Sequence, residues 1–349
     1  MFFERIEGNF VFGRVNNPPF IRQSDTVSGN VENPAGGSAA PLFPSAVTGY
    51  DIYGKAPAVQ NWSLVVQHML LADTLLDAAC VASNSRHLLR AGTIQRNAGV
   101  NTNALWPCLE YAGLTYDITG ANFNDYSLQI QARRKMNGGS LLNVACTGSK
   151  AITGASGWNE GPMDSYNFKN ERSLASYDRR HIFVFSSIYP LPFRRAQDAW
   201  FKKTFGGRQL SGPTTMQSGR PLSLGITGDR AGDGGSAQRP DVVGDWRKNG
   251  GTRLRWFAPE AFAAPALGTF SNLGRNVQIG PGTNNWDLSL QKQFVIARGV
   301  RTEFRAEFYN APHHFSYYGV DTAVGRATFG QVHAAGDPRI LQFGLRLSY

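Results

Sequence analysis

The stretch Arg339-Ile-Leu-Gln-Phe-Gly-Leu-Arg-Leu-Ser-Tyr349 decides the fold. Taken in steps of two, one face carries Leu341, Phe343, Leu345, Leu347 and Tyr349. The other carries Gln342, Gly344, Arg346 and Ser348. A β-strand sends successive side chains to opposite faces, so this segment has one apolar wall and one polar wall. A soluble sandwich would bury the apolar face in a core. Here the pattern ends on an aromatic and recurs upstream, which predicts an antiparallel transmembrane β-barrel with apolar residues toward lipid and polar residues toward the lumen.

Working outward from the terminus, nine further segments read as strands. Thr302–Tyr309 sets Phe304, Ala306 and Phe308 against Arg305, Glu307 and Tyr309. Asn285–Phe294 sets Trp286, Leu288 and Leu290 against Asp287, Ser289 and Gln291. Gln209–Gln217 is weaker, because Pro213 has no N–H to give to a ladder. Arg180–Tyr189 offers Phe183, Phe185 and Tyr189, and a strand follows with Leu142, Val144 and Cys146 on its apolar face. Tyr126–Arg133 alternates strictly, with Tyr126, Leu128, Ile130 and Ala132 against Ser127, Gln129, Gln131 and Arg133. Thr74–Ser83, Asn61–His68 and Ile6–Val15 complete a set of about ten. Asn137-Gly138 supplies the positive φ that a tight hairpin turn requires.

The connections alternate in length. Leu70–Asp73, Lys135–Gly139 and Val295–Gly299 are short, and Leu191–Gly206 is moderate. Asn16–Ala58, Asn84–Ala121, Lys150–Asp178, Ser218–Thr283 and Ala311–Pro338 are long. Counting back from a periplasmic C-terminus, every long segment falls on the outer side. Short periplasmic turns and long extracellular loops are what an outer-membrane barrel has, whereas a structureless loop of this size is rare in a compact soluble domain.

An energetic argument orients the wall. Flipping Thr302–Tyr309 would aim Arg305 and Glu307 at hydrocarbon, and an arginine at the bilayer midplane costs roughly 2–4 kcal/mol. Arg133, Arg305, Glu307 and Arg346 are therefore expected to face the lumen, paired with one another and with whatever fills the barrel.

Composition agrees. Of 349 residues 42% are hydrophobic, and no apolar run is long enough for a spanning helix. A barrel needs none, since only alternate residues meet lipid. The net charge of +10 comes from scattered arginines without a basic run, so lumen charge and anionic lipid headgroups account for it and no nucleic-acid partner is expected. Cys80, Cys108 and Cys146 are odd in number and widely spaced, which implies neither a disulfide framework nor a metal site. Met1-Phe-Phe-Glu-Arg5 lacks the apolar core of a signal peptide; an exported barrel then implies that the chain is the C-terminal piece of something longer.

Chemistry-bearing motifs are few. The six histidines show no metal-ligand spacing, and adjacent His313 and His314 would point opposite ways on a strand. No nucleophile elbow, P-loop or dinucleotide fingerprint occurs, so neither enzyme activity nor a cofactor is expected. Asp229-Arg-Ala-Gly-Asp-Gly-Gly235 resembles an oxygen-rich calcium turn, but it lacks the full ligand spacing and a bidentate Glu, and reads as a flexible extracellular turn. In the longest loop Trp246, Arg253, Arg255 and Trp256 form a candidate ligand-catching surface by stacking and charge; packing of that loop near the lipid headgroups is the alternative.

These residues carry a family resemblance. Asn61-Trp-Ser-Leu64, Ser83-Asn-Ser-Arg-His-Leu-Leu-Arg90, Tyr177-Asp-Arg-Arg-His-Ile-Phe-Val-Phe185, Tyr189-Pro-Leu-Pro-Phe193 and Gln217-Ser-Gly-Arg-Pro221 appear in order. They are followed by Leu273-Gly-Arg-Asn276, Gly280-Pro-Gly282, Asn285-Trp-Asp-Leu-Ser-Leu290, Arg305-Ala-Glu-Phe308, Phe329-Gly-Gln331 and the terminal strand. Together they resemble the C-terminal part of TonB-dependent outer-membrane receptors of the Oar-like group, over nearly the whole of residues 1–349. The resemblance implies about ten strands of a barrel of about twenty-two, an N-terminal plug outside this chain, energy from the TonB complex, and passage of an unknown bulky solute through the outer membrane of a Gram-negative-type cell. Lipid and lipopolysaccharide would surround the wall. The terminal strand through Tyr349 resembles the signal read by the barrel-assembly machinery. Arg208, Cys80, Cys146 and Pro213 depart from the family pattern, which makes Gln209–Gln217 the weakest expected strand. A self-contained ten-stranded barrel (a surface hydrolase or porin) and a structural or adhesive surface protein are the alternatives.

Overall fold

The computed structural model describes residues 2–3, 47–70, 73–93, 114–136, 138–158, 160–192, 206–235, 237–248, 250–297 and 300–348. Nine long strands among them form a wall: β1 (Ala58–Leu70), β2 (Thr74–Thr93), β3 (Leu114–Met136), β4 (Ser140–Thr153), β5 (His181–Pro190), β6 (Arg208–Gln217), β7 (Leu288–Ala297), β8 (Val300–Tyr309) and β9 (Ile340–Ser348). Each pairs antiparallel with the next in chain order. The up-and-down order puts the β2–β3, β4–β5, β6–β7 and β8–β9 connections, all long, at one end and the short turns at the other. Nine of the ten expected strands are present; Ile6–Val15 lies outside the described residues, as does Tyr349.

Directly opposite residues in a ladder share a face, so the register sorts the side chains. One row runs Val66, Ala78, Ile130, Cys146, Phe183, Met216 across β1 to β6. Another runs Tyr189, Leu210, Leu290, Ala306, Phe343 across β5 to β9. The opposite face carries Gln67, Asp77, Gln131 in the first half and Gln209, Gln291, Arg305, Gly344 in the second. The alternation seen in single strands is therefore kept in register across the sheet, as one apolar face and one polar face must be.

Three features differ from the sequence expectation. First, β2 and β3 are 20 and 23 residues long, although crossing a bilayer takes roughly 9–11. Much of the segment expected as the Asn84–Ala121 loop is thus a hairpin standing clear of the membrane. Its ladder breaks near Ser85, Leu88 and Arg90, where His87 has φ 57°, so a bulge marks the change. Val47–Tyr50 adds a parallel strand to its outer part at Leu114–Asp117.

Second, β6 is an unbroken ten-residue strand despite Pro213. The neighbouring strand is interrupted where the proline lies: Thr283–Trp286 pairs with the Thr214–Gln217 half of β6, and β7 with the Arg208–Ser211 half. At the gap the Asp287 N–H still donates to the Pro213 carbonyl, 3.0 Å. The backbones approach so closely there that a Cβ on Gly212 would collide with the Asp287 carbonyl.

Third, the long loops are not structureless. Residues 154–180, 218–282 and 310–339 fold into a cap with its own core of Leu224, Phe257, Phe262, Leu273, Phe329 and Val332. The rings of Phe257, Phe262 and Phe329 meet edge-on at 5.1–6.0 Å. Four short ribbons stitch the cap: Pro221–Leu222 with Gln278–Ile279, Gly225–Ile226 with Ala323–Val324, Asp241–Val242 with Phe262–Ala263, and Tyr317–Val320 with Val332–Ala335. Burying one such aromatic contributes roughly 1.5–3 kcal/mol, which offsets part of the entropy of ordering the loops.

Candidate functional site

The polar face of the wall carries several short groups of hydrogen-bonded side chains. The Gln67 amide donates to Asp77 at 2.5 Å, Gln131 to Asn143 at 2.8 Å, and Arg133 to Gln131 at 2.7 Å. In the second half Glu303 accepts from Arg305 at 2.5 Å and from Gln293 at 3.2 Å, while Arg346 lies opposite Glu303 in the register. Glu307 stands beside Gln342 and accepts from the Tyr309 hydroxyl at 3.2 Å. Arg133, Arg305, Glu307 and Arg346, singled out from the sequence, thus all sit on this polar face. Leu341, Phe343, Leu345 and Leu347 sit on the other, with Phe304 and Phe343 stacked at 6.2 Å.

Arg208 and Lys292 are an exception on the apolar side. They are register partners next to the short-turn end, and the Lys292 ammonium lies 5.9 Å from the Phe294 ring centre. Long cationic side chains at that height reach the headgroups while their stems stay in the apolar layer.

A buried ionic cluster joins wall and cap. Glu171 (2% exposed) receives two bonds from Arg239, at 2.5 and 3.3 Å, and the Met163 N–H at 3.1 Å. Arg275 pairs with Glu160 and also donates to the Thr153 carbonyl at 3.0 Å and the Glu171 carbonyl at 3.3 Å. Arg90, from the outer half of β2, lies 4.4 Å over the Phe168 ring and donates to the Gly154 carbonyl. Residues more than a hundred positions apart are thereby tied at the root of the loops.

Beside this cluster, where β5 and β6 meet the cap, lies a cavity of about 500 Å³. Arg179, Arg220, Ser223, Thr283, Tyr317 and Tyr318 are among its lining residues. Arg179 donates to the Ser218 carbonyl at 2.9 Å. Burial lowers the pKa of its guanidinium, and the neighbouring Arg220 charge lowers it further. Two like charges on one partly desolvated cavity attract an anion, and the tyrosine rings and hydroxyls add stacking and hydrogen-bonding surface. Arg179 and Arg220 stood in the quoted Tyr177–Phe185 and Gln217–Pro221 phrases, but no spacing in one strand reveals that two loops bring them together.

The longest loop belongs to the cap. Trp246 and Trp256 pack against the cap core, Trp246 at 6.0 Å from Phe262, and the Trp256 indole N–H donates to the Ile279 carbonyl at 2.7 Å. Arg255 pairs with Glu260, and Arg253 is exposed with its carbonyl holding the Val332 N–H at 2.8 Å. The rings are half-buried on the cap core, and the charges stand toward the cap surface. His313 and His314 lie in a turn: Asn310 receives φ 49° and His313 φ 58° there, and the His314 N–H donates to Asn310 at 2.9 Å. Cys80 and Cys146 are free and sit on the apolar face; Cys108 lies outside the described residues.

Comparison with known proteins agrees with this architecture. The outer membrane transporter YddB from Escherichia coli is similar in fold, with a TM-score of 0.51 at 9% identity over 89% of this chain and 35% of that one. The ferric-catecholate import receptor Fiu from E. coli K12 aligns at TM-score 0.41 and 12% identity, over 96% of this chain and 31% of that one. FpvAI in its pyocin S2 complex aligns at 0.39 and 10%, over 84% and 28%. The chain thus spans about a third of the length of these structures. No curated protein matches it. A family model described as the outer membrane beta barrel domain matches residues 1–342, and the chain belongs to that family, a β-barrel wall of the Gram-negative outer membrane.

Proposed function

We propose that this chain is part of the wall and extracellular cap of a TonB-dependent receptor that moves a bulky anionic solute across the outer membrane. The single observation that carries the reading is the Arg179–Arg220 cavity at the junction of wall and folded cap, where an anion leaving solution would meet the mouth of the barrel. Two further features support it. Beyond the Phe2–Phe3 contact, β1 has no described partner on its outer edge, and β9 has none beyond β8. An open edge of this length invites pairing, as expected of a wall that is part of a larger barrel. The fold likeness to YddB, an outer membrane transporter, supports the same reading, on which residues 1–349 are the C-terminal part of the barrel.

On this reading Arg133, Arg305, Glu307 and Arg346 line the lumen and meet an N-terminal plug, through which the TonB complex acts. Leu341, Phe343, Leu345 and Leu347, with Tyr349 outside the described residues, form the strand that the barrel-assembly machinery reads. Lipid and lipopolysaccharide contact the apolar face. Arg253 and the Arg255–Glu260 pair are the part of the longest loop left to touch solute, with Trp246 and Trp256 as its scaffold. No catalytic step is assigned.

The test compares solutes accumulated by cells carrying the wild-type gene, a gene deletion, a TonB deletion and the double variant Arg179→Ala/Arg220→Ala, by mass spectrometry of washed cells. An anionic solute accumulated only by TonB-competent wild-type cells, and at least tenfold less by the double variant, is the expected result. Equal solute profiles in wild-type and gene-deleted cells would overturn transport and favour a structural or adhesive wall. Uptake that persists without TonB would favour a passive pore.

A further inference from the structure

The turn Asp229–Gly235 is an integral part of the cap. Its backbone is held at both sides: the Gly268 N–H donates to the Arg230 carbonyl at 2.8 Å, and the Ile226 N–H to the Gln238 carbonyl at 3.1 Å. Inside it, Asp229 accepts the N–H groups of Gly232 and Gly234, each at 2.7 Å, and of Asp233 at 3.1 Å. Asp233 Oδ1 accepts the Gly235 N–H at 2.8 Å and the Gln238 amide at 3.2 Å. Asp233 is fully buried and Gln238 is 3% exposed. Yet two of their oxygens, Asp233 Oδ2 and Gln238 Oε1, are buried without any hydrogen-bond partner.

Such a pair of orphaned acceptors asks for a cause, because buried polar atoms in folded proteins are almost always satisfied. Protein cations nearby are engaged elsewhere: Arg230 donates to the Pro265 carbonyl at 2.8 Å, and Arg239 is held by Glu171. Among the described residues no donor reaches Asp233 Oδ2 or Gln238 Oε1.

We propose that Asp233 Oδ2 and Gln238 Oε1, with the carboxylate of Asp229 beside them, bind a calcium ion that locks the extracellular cap. The donor set is all oxygen, and residues 229–240 contain neither His nor Cys, which disfavours zinc and copper. Two carboxylates and one amide are a set that calcium completes with backbone oxygens and water, whereas magnesium demands near-octahedral geometry. No cluster of three His, Cys, Asp or Glu side chains occurs among the described residues; the third side chain here is a glutamine amide. That is also why the sequence motif looked incomplete: the late oxygen comes from Gln238 and not from a bidentate Glu. With two carboxylates the affinity falls in the weak range of extracellular modules, on the order of 10⁻⁴–10⁻³ M.

Calcium chloride and magnesium chloride are titrated calorimetrically into the full protein, extracted from outer membranes and stripped with EGTA. Asp245→Asn, an exposed site elsewhere in the cap, serves as the control for calcium bound by co-purified lipopolysaccharide. Wild type and Asp245→Asn are expected to bind one more calcium than Asp233→Asn, and magnesium at least tenfold more weakly. EGTA should speed tryptic cleavage after Arg230 at least tenfold in wild type and leave the rate in Asp233→Asn unchanged. Gln238→Leu keeps both carboxylates and replaces Asp233→Asn should that variant fail to reach the membrane. Equal calcium binding by wild type and either variant overturns the site, as does a cleavage rate indifferent to EGTA; equal binding of magnesium overturns the choice of calcium.

Discussion

Replacing Leu345 by Arg tests which face of the wall meets lipid. β9 spans nine residues, so at about 3.4 Å per residue and a tilt near 40° it rises roughly 23 Å, close to the apolar band of such barrels. Leu345 is one residue from the strand midpoint at Gly344, about 2.6 Å along the bilayer normal. Its side chain is 68% exposed, so the substitution removes little protein packing and the cost is that of placing a charge near the midplane. That cost is roughly 2–4 kcal/mol, or about 30- to 900-fold in the folding equilibrium. Gln342→Arg adds the same charge on the other face, opposite Glu307, where an ion pair is available and the expected change is under about 1 kcal/mol. Leu345→Ala separates loss of the leucine from gain of the charge. The assay is equilibrium urea unfolding of the membrane-extracted protein in phosphatidylcholine vesicles, followed by tryptophan fluorescence. Equal costs for Leu345→Arg and Gln342→Arg, or a larger cost on the Gln342 side, would refute the facing and the lumen assignment of Arg305 and Arg346 together.

Two further outcomes follow from the cap. Glu171→Ala leaves Arg239 buried without its carboxylate and should destabilise the cap by roughly 3–5 kcal/mol, while Glu171→Leu/Arg239→Met should recover most of that loss. Hydrogen exchange at the Met163 amide, which donates to Glu171, reads it; a double variant as unstable as the single one would contradict a purely ionic tie. Burial pushes Asp321 up, but the Thr328 hydroxyl at 2.5 Å, the Ala323 N–H at 3.1 Å and Arg326 together hold it below the ordinary Asp range. A depressed native pKa stabilises above the unfolded value of about 3.9 and ceases to do so as pH falls through the native one. Protection of the Ala323 amide should therefore drop below about pH 4 in wild type and be insensitive there in Asp321→Asn; a flat wild-type profile would count against the argument.

How much of this was legible without coordinates varies by element. Strands such as Thr302–Tyr309 announced themselves because lipid and water impose a period of two on every spanning strand, whatever its partners. The alternation of short and long connections read correctly for a related reason: it follows from the order of strands along the chain. The outer halves of β2 and β3 were missed because outside the bilayer that period relaxes. In Leu114–Ile118 the two buried residues, Leu114 and Asp117, are three positions apart. The strand at Gln209–Gln217 was expected only as the weakest, because the compensation for Pro213 lies in another strand, at Asp287.

The candidate sites divide along the same line. Residues placed by alternation, among them Arg133, Arg305, Glu307 and Arg346, share one polar face of the sheet. Trp246 and Trp256, half-buried, pack against the cap core, a contact that no local pattern in their loop announces. The Arg179–Arg220 cavity and the Glu171–Arg239 pair could not be read at all, since each joins loops separated by tens of residues.

By itself the amino-acid order carried the two-residue period of the wall strands and the alternation of short and long connections, because a bilayer is a uniform solvent that acts on each residue separately. Only the tertiary structure decided what the loops become. Their core, their ion pairs and the unsatisfied oxygens of Asp233 and Gln238 arise from contacts between distant segments, and such contacts leave no periodic trace in a single chain.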